Sequence, residues 1–154
     1  MDQSIENAWE LSRNRALELL DLKKVDVCTY PPLSLAFIGD GVYELVIRTI
    51  IVHAGSVQVH KLNDRSSRWA KATTQCRLVK KIEEDLTEEE YAVFRRGINA
   101  KPHSKAKNAS IKQYLEATGL EALIGYLYLT GQYERILYLV KKGMDAIELE
   151  EKSN

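Results

Sequence analysis

Cysteine and proline are scarce in this chain of 154 residues: Cys28 and Cys76 are the only cysteines, and there are three prolines. Two cysteines exclude a disulfide framework and a cysteine-based zinc cluster, and they read as reduced core thiols. His53, His60 and His103 lack metal-ligand spacing, so a zinc site is not expected. No apolar run approaches the roughly 18 residues that a membrane-spanning helix needs. The opening MDQSIENAWELSRNR is polar and acidic, unlike a basic-then-apolar signal peptide. These absences give the expectation of a cytoplasmic protein without a membrane partner. With 45% hydrophobic and 29% charged residues, neither a disordered nor a collagen-like chain fits. The length suits one domain, residues 1–154, with a core of its own.

Net charge is also absent, but its cancellation hides a pattern. Residues 58–82 hold seven Lys/Arg and one acid, and residues 83–90 hold six acids and no base. Residues 91–115 hold six Lys/Arg and no acid, and residues 116–133 hold Glu116 and Glu121 and no base. Charge runs usually solvate helix faces. A long stretch free of Asp and Glu is instead the kind of local field that attracts a polyanion.

The periodicity is helical throughout, with no hairpin signal, alternating strand or repeat. Residues 5–22 have loose helical spacing and form, with the linker to residue 30, an N-terminal segment. Tyr30-Pro31-Pro32 breaks the chain, and residues 33–53 follow as a long apolar helix with Pro32 in its first turn. Gly55 ends that helix and Ser56 is a cap for the next. Residues 57–84 read as one long or kinked polar helix, with Thr73 or Thr74 as the break. Thr87-Glu88-Glu89-Glu90 is a capping box that starts a helix to about Ile98. Residues 99–109 read as a basic loop. Ser110 caps a short helix to Ala117, Gly119 marks a joint, and an apolar helix from Glu121 to Leu129 ends at Gly131. Tyr133 begins an amphipathic helix to about Ile147, with 148–154 a frayed acidic tail. The class is all-α, with about seven helices.

Two carboxylates stand apart from the other acids. Asp40 lies in LSLAFIGDGVYELVIRTIIV and Glu121 in TGLEALIGYLYL, where an unpaired buried charge is expensive. A buried salt bridge is the plain alternative. Arg48, the only base in either helix, lies about 12 Å along the axis from Asp40 and is not its local partner. A metal site is the sharper reading, because carboxylate oxygens suit a hard cation such as Mg²⁺, which keeps several waters and takes one or two carboxylates. Gly39 and Gly41 flank Asp40 and would admit a ligand or a second backbone; tight helix packing explains them equally well. Glu44 shares the face of Asp40 at i+4 and reads as a structural pair. Ser34 has no histidine near it on this helix and makes no nucleophile triad.

Leu35-Ala36-Phe37-Ile38-Gly39-Asp40-Gly41-Val42-Tyr43-Glu44 resembles the signature helix of ribonuclease III domains, most closely in the small Mini-ribonuclease III branch. Arg95-Arg96-Gly97-Ile98-Asn99-Ala100-Lys101 and the stretch from Tyr114 to Gly131 are similar to the same family, so the resemblance runs from about Tyr30 to Val140. It implies an all-α endonuclease domain that acts on double-stranded RNA as a homodimer with Mg²⁺, Mn²⁺ being a possible substitute. For the small branch it implies maturation of precursor 23S ribosomal RNA, with a ribosomal protein as possible accessory. Asp40 matches the catalytic aspartate and Glu121 the metal-binding glutamate. Larger family members carry further carboxylates where Leu33, Ala36 and Thr118 stand here, so two protein carboxylates remain and one well-hydrated ion fits them best. Gly41 stands where the small branch usually has alanine. Those larger members also carry a separate RNA-binding domain for which this chain has no spare length, so affinity falls to its own surface. Arg95, Arg96, Asn99, Lys101, Lys105 and Lys107 are the RNA-binding candidates. Lys61, Arg65, Arg68 and Lys71 form a second basic stripe, equally readable as a solvated face. The alternative function is a catalytically inactive dimeric RNA-binding platform of the same fold, and a more distant one is a helical protein-interaction module.

Overall fold

The computed structural model describes residues 13–55, 58–100 and 110–154. Residues 13–19 are the described part of a first helix, α1. A 3-10 turn at Val27–Thr29 follows, with the Asp26 side chain accepting from the Cys28 amide. Then come α2 (Pro32–His53), α3 (Val59–Ala70) and α4 (Ala72–Ile82), a second 3-10 turn at Glu83–Asp85, α5 (Glu88–Ile98), α6 (Ile111–Leu129) and α7 (Tyr133–Lys152). No strand occurs among the described residues. The expected all-α class is what is found, and the described residues hold seven α-helices, though not with the expected divisions.

The organising element is α6, against which α2, α4, α5 and α7 all pack. Its buried residues, from Ala117 to Leu127, lie on almost every side, so its sequence is apolar all round and shows no single stripe. The core around it joins Tyr43 and Ile47 of α2, Leu78 and Ile82 of α4, and Ile136 and Ile147 of α7. The starts of α5 and α6 are fixed locally. Thr87 and Glu90 form a reciprocal capping box, as do Ser110 and Gln113.

Four expectations are corrected. The polar region after α2 breaks at Lys71, which is extended (φ −65°, ψ 139°), and not at Thr73 or Thr74. The two pieces have different partners: α3 packs on α2, while α4 packs on α6 and α7. The Tyr43 hydroxyl donates to the Trp69 carbonyl at 2.7 Å, taking up an acceptor exactly where α3 ends, and Thr74 is buried inside α4. Gly119 is not a joint, because α6 is continuous through it. A side chain there would collide with the Phe94 ring and the Phe94 carbonyl oxygen of α5, so this glycine serves close packing. The acidic tail is helical to Lys152, since Glu150 pairs with Lys81 at 2.6 Å and Glu151 with Arg77 at 3.2 Å and with Arg68. Gln58, and not Ser56, stands at the N-cap of α3, and Ser56 lies outside the described residues. Residues 5–12 of the first expected helix and 101–109 of the expected basic loop lie outside them too.

Candidate active site

The site begins with a contact between two backbones. A side chain at Gly39 would overlap the Glu121 carbonyl oxygen, and one at Gly125 would overlap the Leu35 carbonyl oxygen. Only two glycines facing each other let α2 and α6 touch this closely. The crossing sets Asp40, the next residue on α2, beside Glu121 on α6, close enough for the Asp40 charge to act on Glu121. Gly41 meets nothing, so packing does not require it.

The environments of the two carboxylates differ. Asp40 is exposed, contrary to the burial that its apolar helix suggested: α2 is apolar on its outer face as well, where Phe37 is 84% and Leu45 60% exposed. Partial desolvation and the neighbouring Glu44 raise the Asp40 pKa. Glu121 is half-buried, and burial first, then the Asp40 charge, push its pKa up to about 7. Neither pairs with a cation among the described residues, so none of these supplies the salt bridge that was the plain alternative. Glu44 is paired with Arg48 at 2.6 Å, which is the structural role expected of it.

A third member escaped the sequence reading. Gln75 of α4 is 2% exposed, and its side-chain amide lies by the Glu121 carboxylate, where its hydrogen-bonding interaction opposes the upward shift. Its carbonyl oxygen is buried without a partner. The available signal was spacing: Gln75, Leu78, Val79 and Ile82 recur at helical intervals, which places an amide on the core face of α4. The positions where larger family members carry carboxylates hold no carboxylate here. Ala36 is buried, and the Thr118 hydroxyl donates to the Tyr114 carbonyl at 3.0 Å. Among the described residues no cluster of three or more His, Cys, Asp or Glu could hold a metal. Protein oxygens would fill only part of a cation's shell here.

The basic candidates divide. Arg95 and Asn99 line a cleft of about 550 Å³ between α4, α5 and the start of α6, shared with Lys80, Lys112, Glu83 and Glu116. Arg95 also lies 6.0 Å over the Tyr91 ring. Lys80 and Lys112, which had not been singled out, thus join the expected set. Arg96 points elsewhere and donates to the Tyr30 carbonyl at 3.2 Å, tying α5 to the start of α2. Lys101, Lys105 and Lys107 lie outside the described residues. The stripe on α3 is interrupted, because Arg68 is paired with Glu151 and stacked 4.8 Å over Trp69. At 2.6 Å the Cys76 thiol donates to Glu116, and burial together with that bond pushes its pKa up to about 11. It stays protonated at neutral pH, like a core thiol.

Comparison with known proteins agrees with this geometry. The sequence profile of the ribonuclease III domain matches residues 33–132. Mini-ribonuclease 3 of Symbiobacterium thermophilum is 42% identical over 120 residues, covering 78% of this chain and 92% of that protein. Mini-ribonuclease 3 of a Thermoanaerobacter species is 42% identical over 127 residues, covering 82% and 89%. A crystal structure of a Fusobacterium nucleatum protein superposes with a TM-score of 0.71 at 32% identity, covering 80% of this chain and 98% of that one. The chain belongs to the ribonuclease III family, in its Mini-ribonuclease 3 branch, and is an endoribonuclease.

Proposed function

We propose that this endoribonuclease cleaves double-stranded RNA with a divalent cation, Mg²⁺ in the first place and Mn²⁺ as its substitute, held by Asp40 and Glu121. The observation that carries the reading is the placement of these two carboxylates beside each other across the α2–α6 contact, neither with a cationic partner among the described residues. The donor set fits: two oxygen ligands from side chains suit a hard, well-hydrated cation. Bound there, Mg²⁺ would stabilise charge on the phosphoryl oxygens and make its water a better nucleophile. Asp40, exposed, faces the solvent from which a phosphodiester arrives. Glu121, half-buried, gives up its proton near neutral pH and so becomes a ligand at the working pH.

The RNA follows the positive surface. Duplex RNA is gripped by shape, phosphates and 2′-hydroxyls. Arg95, Lys80, Lys112 and Asn99 supply donors in one cleft, and Lys101, Lys105 and Lys107 continue the run in sequence. Glu116 at this cleft and Glu121 at the active site lie on the same helix, about 7.5 Å apart along its axis. Catalysis is by a homodimer, supported by the outer face of α2, the helix that carries Asp40, where Phe37, Leu45 and Val52 stand exposed. The substrate is precursor 23S ribosomal RNA, matured at its ends, with a ribosomal protein as accessory; this part rests on the family resemblance. Precursor 23S RNA incubated with the purified protein and Mg²⁺ should yield discrete cuts near its ends, mapped by primer extension. Intact precursor, with generic duplex RNA cut in the same buffer, would reject the assigned substrate.

A further inference from the structure

Gln75 has no part in the reading so far, and it occupies an expensive position. Its carbonyl oxygen is shut away from solvent with no donor, a loss that an apolar residue of similar volume would avoid. Its other end is engaged. With that oxygen unpartnered, the hydrogen-bonding interaction with Glu121 runs from the Gln75 amide N–H, the ionised carboxylate accepting. Because Gln75 is 2% exposed and set in a helix packed on α6, its side chain is a fixed donor and not a wandering one.

We infer that Gln75 is a positioning residue of the active site: its amide N–H fixes the orientation of the Glu121 carboxylate so that the free oxygen is presented with Asp40 to one shared divalent cation. The unpartnered carbonyl is what the fold gives up to keep an amide at this place. The inference rests on the cation site proposed above. Groups that orient metal ligands in this way typically alter metal affinity about 10- to 100-fold when removed. Core amides kept only for packing have no such effect.

The two roles move different readouts. Mn²⁺ is titrated calorimetrically into the metal-free full chain and into Gln75→Met and Gln75→Leu, two apolar replacements of similar size. Thermal unfolding of each metal-free protein is recorded alongside. Mn²⁺ affinity should fall at least tenfold in both variants, while their Tm stays level or rises, since the orphaned oxygen is gone. In cleavage assays the Mg²⁺ concentration for half-maximal rate should rise, with much of the rate recovered at saturating Mg²⁺. A well-folded variant binding Mn²⁺ within twofold of the parent would overturn the inference, as would a lowered Tm with unchanged affinity. Asp40→Asn separates the two layers: loss of Mn²⁺ binding there upholds the site, and retained binding would fault the cation site itself and not Gln75.

Discussion

Glu121 shows most directly how an environment assigns a residue its chemistry. Its folded pKa of about 7 lies above the ordinary carboxylate value, so the folded metal-free protein holds this proton more tightly than the unfolded chain does. The resulting stability is fully present below the unfolded pKa and is lost as pH rises through about 7. Unfolding by urea should therefore become easier between about pH 5 and pH 8, with Glu121 contributing on the order of 3 kcal/mol to the change. Glu121→Gln should flatten that slope, and an unchanged slope would show that Glu121 is not held in the half-buried place described. The sequence already marked Asp40 and Glu121, because an acid inside an apolar helix is conspicuous. It did not mark Gln75, since a lone amide in a mixed helix looks like surface until its phase against Leu78, Val79 and Ile82 is read. The burial expected of Asp40 was wrong for a related reason: apolar neighbours along the chain do not say which face of the helix is covered.

At the scale of the element, the α2–α6 crossing decides whether the site exists. Gly39→Ala would drive a methyl group into the Glu121 carbonyl, so the helices must part. We expect a loss of 3 kcal/mol or more by urea denaturation, of the size seen for overpacked cores, together with loss of cleavage. Gly41→Ala, two residues on in open space, should instead stabilise by up to about 1 kcal/mol through helix propensity and leave cleavage intact. Equal effects from the two substitutions would contradict the crossing. The starts of α5 and α6 were legible, because caps are local: Thr87 and Glu90 close the box their spacing announces, and Ser110 caps as expected, with Gln113 completing a second box. Breaks and ends were not. Gly119 looked like a joint because the residue that needs its space, Phe94, is far off in sequence. The tail looked frayed because its partners Arg68, Arg77 and Lys81 lie on α3 and α4.

For the molecule as a whole, the proposed homodimer would cover the apolar outer face of the helix that carries Asp40, where Phe37, Leu45 and Val52 stand exposed. A symmetric pair would bury the same patch from both partners. Phe37→Asp should convert a dimer to a monomer by light scattering, while the helical content seen by circular dichroism stays the same. A dimer of unchanged stability in that variant would place the interface elsewhere. The division of charge along the sequence anticipated a polyanion partner, but not where its contacts meet. Arg95 and Lys112 are 17 positions apart in sequence and share one cleft, whereas Arg96, adjacent to Arg95, is tied to Tyr30.

The central claim is that Asp40 and Glu121 together hold the cation that cuts duplex RNA. Its most direct measurement is the single-turnover cleavage rate of a long RNA duplex by the parent, Asp40→Asn and Glu121→Gln, each with Mg²⁺ and with EDTA. The parent should cut only with Mg²⁺, and both variants should be slower by about 10³-fold or more while retaining the parent's RNA affinity, a loss of at least ~4 kcal/mol of transition-state stabilisation. Cleavage by Asp40→Asn at a rate near that of the parent, or cleavage by the parent in EDTA, would contradict it.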